Sequence, residues 1–246
     1  MVHVLTETDK AAPLFAGWED TAILSCLERI MGKIYVTDPE SPRSAMAFIG
    51  CYAFYAGEPD AELVLNKPEG LFVMVPQNEG WARLIESRFP QAEKAIRFAT
   101  RKDTVFDRAK LRAMTALPEG YELRKLDAEL YDQCLAEPAL FNQVGVFNSK
   151  EQFLELGRGA AVVKNGRMVA GASSYSRYSK GLEVEVDTLE EERRKGLARA
   201  AAAALILACL DEGLYPSWDA GNRASLGLAE KLGYEFSHEY VSYETD

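Results

Sequence analysis

A short basic turn in the second half of the chain has residue types that could hold an anion. It consists of Arg193, Arg194, Lys195, Gly196, Leu197 and Ala198, in the pattern R-x-x-G-x-A. A predicted helix follows, so N–H groups at its start lack intrahelical partners and its dipole favours a negative charge there. Glycine lets an anion approach the backbone closely, and the basic side chains add charge. The turn is therefore a candidate pyrophosphate site.

Two well-known phosphate-binding motifs do not occur at this turn. The phosphate loop requires G-x-x-x-x-G-K-[ST], and the dinucleotide fingerprint requires three spaced glycines after a strand. The turn has Gly196 alone. A solvated basic turn is the alternative interpretation, and the six residues by themselves do not exclude it.

The segments around the turn favour the anion site. Residues 182–188 alternate apolar and acidic side chains, which predicts a half-buried strand. Residues 197–210 carry one charge, at Arg199, so they predict a largely buried helix. A short apolar strand is predicted over residues 215–219, and Asn222 is placed to cap a further helix.

Taken in order, these features resemble the GNAT superfamily of N-acetyltransferases. The acetyl-CoA signature of that family matches at Arg193, Gly196 and Ala198, and a later segment matches at Asn222, Ala224 and Lys231-Leu232-Gly233-Tyr234. A narrower resemblance is to the branch of GNAT acetyltransferases that includes a zwittermicin A resistance protein. The strings Tyr215-Pro216-Ser217-Trp218-Asp219 and Leu228-Ala229-Glu230-Lys231-Leu232-Gly233-Tyr234 carry it. The superfamily resemblance covers residues 120–246.

The resemblance implies a fold, a co-substrate and the residues that contact it. The expected fold class is α/β (α+β), a GNAT-like mixed sheet flanked by helices. The expected co-substrate is acetyl-CoA, with its pyrophosphate at the basic turn and its pantetheine arm along residues 186–188. The implied cofactor residues are Val186, Thr188, Arg193, Arg194, Lys195, Gly196, Leu197, Ala198, Asn222 and Ser225.

Two carboxylates are candidates for the general base. Glu183 and Glu185 lie on the strand beside the expected thioester, and strand alternation places both on one face. Either could accept the proton of an attacking amine, directly or through a water. Glu185 is preferred because it lies closer to the cofactor end. The alternative is that both belong to the solvent-facing half of an amphipathic strand.

The general acid has no clear candidate. Many GNAT enzymes carry a tyrosine seven residues after the asparagine of the later segment, and Ala229 stands there. Tyr234, Tyr240 and Tyr243 are substitutes by proximity in sequence; Tyr240 is the residue we predict, although each could instead be a core or rim aromatic. A thiol has a pKa of about 8.5 in solution, so a thiolate can also leave without a protein acid.

Three consecutive glutamates precede the basic turn. Carboxylates that faced a pyrophosphate would repel it, so Glu190, Glu191 and Glu192 must point to solvent or pair with basic side chains. We predict a solvated face.

The chain is predicted to contain two domains. Leu117-Pro118-Glu119-Gly120 is the best linker candidate. It separates residues 1–116, a mixed α/β domain of unknown role, from residues 117–246, the GNAT-like domain. Residues 44–56 are predicted to form one buried strand. A single strand fits after the last helix where GNAT domains have two, so we expect the N-terminal domain to pack against that sheet edge.

The composition of the chain limits the classes of partner, of metal site and of cellular compartment that we expect. The formal charge of −10 argues against nucleic acid as a partner. Two histidines, His3 and His238, exclude a histidine-rich metal site, so no metal is expected. Four cysteines without a C-x-x-C spacing favour free thiols in a reducing compartment. The polar N-terminus and the absence of a long apolar run predict a cytoplasmic protein with no membrane segment.

These observations predict an acetyl-CoA-dependent N-acetyltransferase with a small-molecule amine as acceptor. The alternative is a non-catalytic acyl-CoA-binding module whose N-terminal domain senses a ligand or binds a partner. Ala229, at the position where the acid is expected, supports that alternative.

Overall fold

A computed structural model describes residues 1–66, 70 and 72–245 of the chain. These residues form two compact units. The first comprises Met1–Arg97 with Glu239–Asp246, and the second comprises Phe98–His238. The division falls inside two strands, Glu93–Thr100 and Phe236–Thr245, which are called β6 and β13 below.

The first unit is a sheet with helices. Its strands are β1 (His3–Val4), β2 (Lys33–Val36), β3 (Ser44–Ile49), β4 (Tyr52–Gly57) and β5 (Phe72–Pro76), and its helices are α1 (Thr21–Leu27), α2 (Ala61–Leu65) and α3 (Glu79–Arg88). Neighbouring strands from β1 to β4 are antiparallel, and β4 and β5 are parallel. Residues 44–56 therefore form a hairpin instead of the single strand we predicted, because the chain reverses at Gly50, whose φ is 58°.

The core of the first unit is built on aromatic side chains. Trp81 and Tyr55 are fully buried, and their rings stack with centroids 5.0 Å apart. Tyr243, near the end of the chain, belongs to the same cluster. Its hydroxyl donates to Glu86 Oε1 at 2.6 Å, and residues 243–245 of β13 pair antiparallel with β5. The last strand therefore helps to complete this core.

The second unit carries the elements around the basic turn. Its strands are β7 (Glu122–Lys125), β8 (Gly159–Lys164), β9 (Arg167–Tyr178), β10 (Gly181–Thr188), β11 (Tyr215–Ser217) and β12 (Asp219–Ala220). Its helices are α4 (Arg108–Met114), α5 (Ala128–Ala136), α6 (Lys150–Leu156), α7 (Leu197–Asp211) and α8 (Arg223–Leu232), with 3-10 turns at Pro138–Gln143 and Glu190–Glu192. The mixed α/β fold class predicted from the sequence is confirmed. Within the described residues, no helix has the length and apolar character needed to cross a membrane.

The sheet of the second unit has the order β11-β10-β9-β8-β7. Asn165 and Gly166 connect β8 to β9 with φ values of 52° and 77°, as the sequence Asn-Gly predicts for a two-residue hairpin. Helix α7 packs against β8, β9 and β10. Four consecutive alanines of α7, residues 200–203, are fully buried. Their small side chains allow the helix to lie close to the sheet.

Strands β10 and β11 separate before β10 ends. Their parallel pairing stops at Glu183 and Ser217, while β10 remains paired with β9 as far as Thr188. The chain after Ser217 has other partners: Thr100 Oγ1 donates to the carbonyl of Trp218 at 2.6 Å, and β12 pairs with Phe98 and Ala99. Within the described part of the second unit, the outer edge of residues 184–188 consequently has no strand partner. We call these five residues the open edge.

Two glycine-to-alanine changes should have opposite effects on the stability of the protein. Gly166→Ala forces a side chain into a left-handed turn and should lower the free energy of unfolding by about 1–2 kcal/mol. Gly227→Ala, inside α8, meets no atom within 4 Å and should raise it by up to about 1 kcal/mol. Urea unfolding of both variants measures the difference. If both variants changed the free energy of unfolding in the same direction, the geometry of the turn would be contradicted.

Candidate active site

The basic turn leads directly into the N-terminus of α7. Gly196 is the N-cap with φ 82°, and no side chain of the described residues caps this helix. The first backbone N–H groups of α7 are thus available to an external acceptor. A Cβ on Gly196 would lie 3.3 Å from Arg199 Nη2, so the Arg199 guanidinium lies close to the glycine. The left-handed glycine and the uncapped helix N-terminus are present as expected, while anion binding there stays a prediction, and Arg199 is a nearby basic residue that our prediction did not include.

The three cations of the turn have different surroundings. Arg193, Arg194 and Lys195 are all exposed as residues. Arg193 Nε donates to the carbonyl of Thr188 at 3.4 Å, which places Arg193 beside the end of β10. Lys195 Nζ donates to Glu192 Oε2 at 2.6 Å and to the carbonyl of Glu191 at 3.1 Å. The ammonium of Lys195 is therefore directed at the 3-10 turn that precedes it.

Glu192 lies at the centre of a charged cluster. Its side chain accepts hydrogen bonds from Lys195, from Tyr121 Oη at 2.5 Å and from Lys164 Nζ at 3.0 Å. These donors, Lys195 first, lower the pKa of Glu192 to about 2. The residue is 7% exposed, so the predicted solvated face is wrong for Glu192. Glu190 and Glu191 are exposed, as predicted. We call Tyr121, Lys164, Glu192 and Lys195 the Glu192 cluster.

The open edge runs from β11 toward the basic turn. It includes the predicted cofactor residues Val186 and Thr188, both half-buried. Thr188 Oγ1 is shielded from solvent and has no hydrogen-bond partner in the described part of the chain. A strand edge with no neighbouring strand in the described second unit and a helix N-terminus thus follow each other along the chain. Both offer hydrogen-bonding groups to an extended ligand that ends in a phosphate.

Glu183 and Glu185 lie on the same face of β10 and are half-buried. Leu182 and Val184, on the opposite face, are buried, which is the alternation that the sequence predicts. Glu183 stands opposite Ser217 at the last paired position of β10 and β11. Both carboxylates therefore lie where the two strands begin to separate.

Asp187 is a third carboxylate on that strand face, and our prediction did not include it. Its Oδ2 accepts a hydrogen bond from Gln143 Nε2 at 3.0 Å. Burial raises the pKa of Asp187, while Gln143 and the charge of Arg193 act in the opposite direction. Gln143 Oε1 is buried without a partner among the described residues, and Gly171 leaves room for it. The acidic alternation of residues 183–187 was the available sequence signal.

Asn222 and Ser225 lie at the start of α8. Asn222 Oδ1 accepts from the backbone N–H of Ser225 at 2.9 Å, so the predicted helix cap is confirmed. Ser225 Oγ accepts from Trp218 Nε1 at 3.1 Å. Both side chains therefore have structural roles in positioning α8, and their contact with a cofactor stays a prediction.

The tyrosines considered as acids have separate environments. Tyr234, in the second unit, is buried, and its hydroxyl donates to the carbonyl of Pro216 at 2.7 Å; burial raises its pKa well above the ordinary value. Tyr240 belongs to the first unit, where its hydroxyl accepts from Arg97 Nε at 3.2 Å. Tyr243 is in the core of the first unit, as described above. Ala229 is fully buried.

The order of elements in the second unit, its open edge and the helix N-terminus at Gly196 are those of an acetyltransferase of the GNAT class. A family model for GNAT acetyltransferases matches residues 12–243. The chain belongs to that family and is an N-acetyltransferase. The match includes most of the first half of the chain, which the sequence resemblance did not cover.

Individual relatives agree with this assignment. The uncharacterized N-acetyltransferase YdfB from Bacillus subtilis is 26% identical over an alignment of 254 positions that covers 96% of this chain and 91% of YdfB. A GCN5-related N-acetyltransferase-like protein from Streptococcus suis is 46% identical, with a TM-score of 0.92 over 97% of this chain and 98% of that one. A GCN5-related N-acetyltransferase from Kribbella flavida shares the fold at 17% identity, with a TM-score of 0.57 over 98% of this chain and 95% of that one.

Reversing the charge of the two arginines in the turn should abolish cofactor binding. In Arg193→Glu with Arg194→Glu, four units of negative charge are added beside the helix N-terminus, and the affinity for acetyl-CoA should fall at least about 100-fold. Calorimetric titration measures the affinity, and circular dichroism checks the fold. Arg83→Glu with Arg88→Glu, on the exposed face of α3, is the control with the same charge change. An unchanged affinity in the turn variant would contradict the anion site.

The Glu192 cluster should stabilise the protein in a pH-dependent way. In the folded protein the pKa of Glu192 is about 2, which lies below the value of about 4.3 expected for a glutamate in the unfolded chain. The stabilisation is thus complete above the unfolded pKa and is lost as the pH falls through the folded pKa. Melting temperatures of the wild type and Glu192→Gln should differ by a constant amount from pH 6 to 8, and the difference should shrink as the pH falls from about 4 toward about 2. Glu190→Gln is the exposed control and should melt like the wild type.

Proposed function

We propose that this N-acetyltransferase moves the acetyl group of acetyl-CoA to the amine of a small molecule by direct attack. The observation that carries the proposal is the continuous path from the point where β10 and β11 separate, along the open edge, to Gly196. The six strand residues from Glu183 to Thr188 are separated by five steps of about 3.3 Å each, so they span about 16 Å. A pantetheine arm that follows this edge would have its thioester near Glu183 when its pyrophosphate lies at the turn.

The residues present fit such a co-substrate. Backbone groups of the open edge can bond to the amides of the arm, since no strand of the described second unit occupies them. Thr188 Oγ1 offers a further hydrogen-bonding group. At the other end, the N–H groups of α7 and the guanidinium groups of Arg193, Arg194 and Arg199 can hold the phosphates.

Either Glu183 or Glu185 would take the proton from the amine, directly or through a water, and Glu185 is the preferred base. Both lie at the acyl end of the path and share a strand face. The N–H groups of the open edge could stabilise negative charge on the carbonyl oxygen, an effect worth about 3–4 kcal/mol where single such donors have been removed in other enzymes. Direct transfer needs no acyl group on the protein, since the amine forms its bond to the carbonyl carbon while the bond to sulfur breaks. The sulfur leaves as a thiolate, so the reaction can proceed with alanine at position 229.

The proposed class of acceptor, a small amine, is inferred from the resemblance of the sequence to one branch of the family. The sequence strings shared with the branch that includes a zwittermicin A resistance protein support a small amine, such as an antibiotic or a similar metabolite. Half-buried acidic side chains at the acyl end of the path also suit a substrate that arrives as an ammonium ion.

The two glutamates can be tested as bases. Acetyl-CoA is incubated with a panel of small amines, and the release of free thiol is followed. For an accepted amine, Glu183→Gln or Glu185→Gln should lower kcat about 100-fold or more and remove the rise of rate with pH that a carboxylate base produces. Glu230→Gln, exposed on α8, is the control and should keep the wild-type rate. Binding of acetyl-CoA without thiol release for any amine would contradict the proposed function.

A further inference from the structure

The Glu192 cluster joins three separate parts of the second unit. Tyr121 precedes β7, Lys164 ends β8, and Lys195 lies in the basic turn. Both oxygens of Glu192 are engaged, Oε1 with Lys164 and Oε2 with Tyr121 and Lys195. Lys164 also lies over the ring of Tyr121, 5.0 Å from its centroid. Tyr121 and Lys164 thus hold the carboxylate of Glu192 beside β7 and β8, and the same carboxylate also binds the turn through Lys195.

The turn itself has an unfavourable backbone conformation. Arg194 has φ 65° and Gly196 has φ 82°, so left-handed residues lie on both sides of Lys195. A left-handed conformation is rare for a residue with a side chain and persists where its surroundings fix it. The bond from Lys195 to Glu192 is the side-chain contact that fixes the middle of this turn.

The same bond determines which cations are available to an anion at Gly196. Lys195 is directed at Glu192 and at the carbonyl of Glu191, whereas Arg199 lies beside Gly196. Lys164 and Lys195 together compensate the charge of Glu192, which therefore does not repel a phosphate group nearby.

We propose that Glu192 and Lys195 are positioning residues for the pyrophosphate site. Lys195 acts through Glu192, by holding the turn in the conformation that presents the N–H groups of α7, and makes no direct contact with phosphate. Tyr121 and Lys164 fix Glu192 in place. The proposal rests on the proposed function in one respect, namely that the anion at Gly196 is the pyrophosphate of CoA.

A double-mutant cycle on CoA affinity tests the proposal. Glu192→Gln and Lys195→Met should each weaken CoA binding about tenfold in calorimetric titrations. The double variant should bind no more weakly than either single variant, because both changes break the same bond. Glu190→Gln and Lys180→Met, which are exposed, are the controls of matched charge and should bind like the wild type. Additive losses, about 100-fold in the double variant, would show that Lys195 contacts phosphate directly and would overturn the proposal.

Kinetics with two acetyl donors separates positioning from a general loss of structure. The KM for acetyl-CoA should rise about tenfold in Lys195→Met while kcat is unchanged. The KM for S-acetyl-N-acetylcysteamine, a thioester without a pyrophosphate, should equal that of the wild type. Equal damage with both donors would show that the cluster only stabilises the fold. Tyr121→Phe removes one donor to Glu192 and gives a second variant if Glu192→Gln does not fold. It should raise the KM for acetyl-CoA and leave the KM for S-acetyl-N-acetylcysteamine unchanged.

The outcomes distinguish this proposal from the proposed function. Normal CoA binding without acetyl transfer would refute the transfer reaction, and the binding cycle would still decide the role of Lys195. Absence of CoA binding by the wild-type protein would refute both.

Discussion

The chain that follows α7 changes its hydrogen-bonding partners after Ser217, and the arrangement of the second unit depends on this change. After Ser217 the chain leaves β10 because Thr100 and the segment Phe98–Ala99 bind it instead. Had β11 stayed paired with β10 over its full length, the open edge would be satisfied by backbone and would have nothing to offer a ligand. The open edge is tolerated because β9 still holds the other side of β10 as far as Thr188. The loss of strand pairing on this side of β10 is therefore also what leaves its backbone groups open to a ligand.

The electrostatics of the turn depend on an arrangement that composition does not reveal. The protein is acidic overall, with a formal charge of −10, and three glutamates stand directly before the predicted phosphate site. Two of them are exposed to water, where solvent and ions screen their charge. The third, Glu192, is compensated by two lysines and a tyrosine hydroxyl. An anion at Gly196 is thus exposed mainly to the field of the arginines and of the helix dipole.

Local signals in the sequence predicted the local structure well. The Asn165–Gly166 hairpin and the Asn222 cap depend on neighbouring residues, and both are confirmed. The buried role of Glu192 could not be read from three identical residues in a row, because two of its three partners, Tyr121 and Lys164, lie 71 and 28 positions away in the sequence. The contact of Asp187 with Gln143, from a 3-10 turn, was hidden for the same reason. Alternation assigns a face to a strand residue, but it does not reveal what covers that face.

The pairing of the last strand with the first unit affects how the protein can be made. Tyr243 bonds to Glu86 across 157 positions of chain, and it fills the same core as Tyr55 and Trp81. During synthesis on a ribosome, the first unit therefore emerges early but cannot close its core until residues 243–245 have been added. The second unit, Phe98–His238, is complete before that point. Until those residues have been added, β5 lacks the strand that covers its outer edge, so most of the chain is made before the first unit can finish folding.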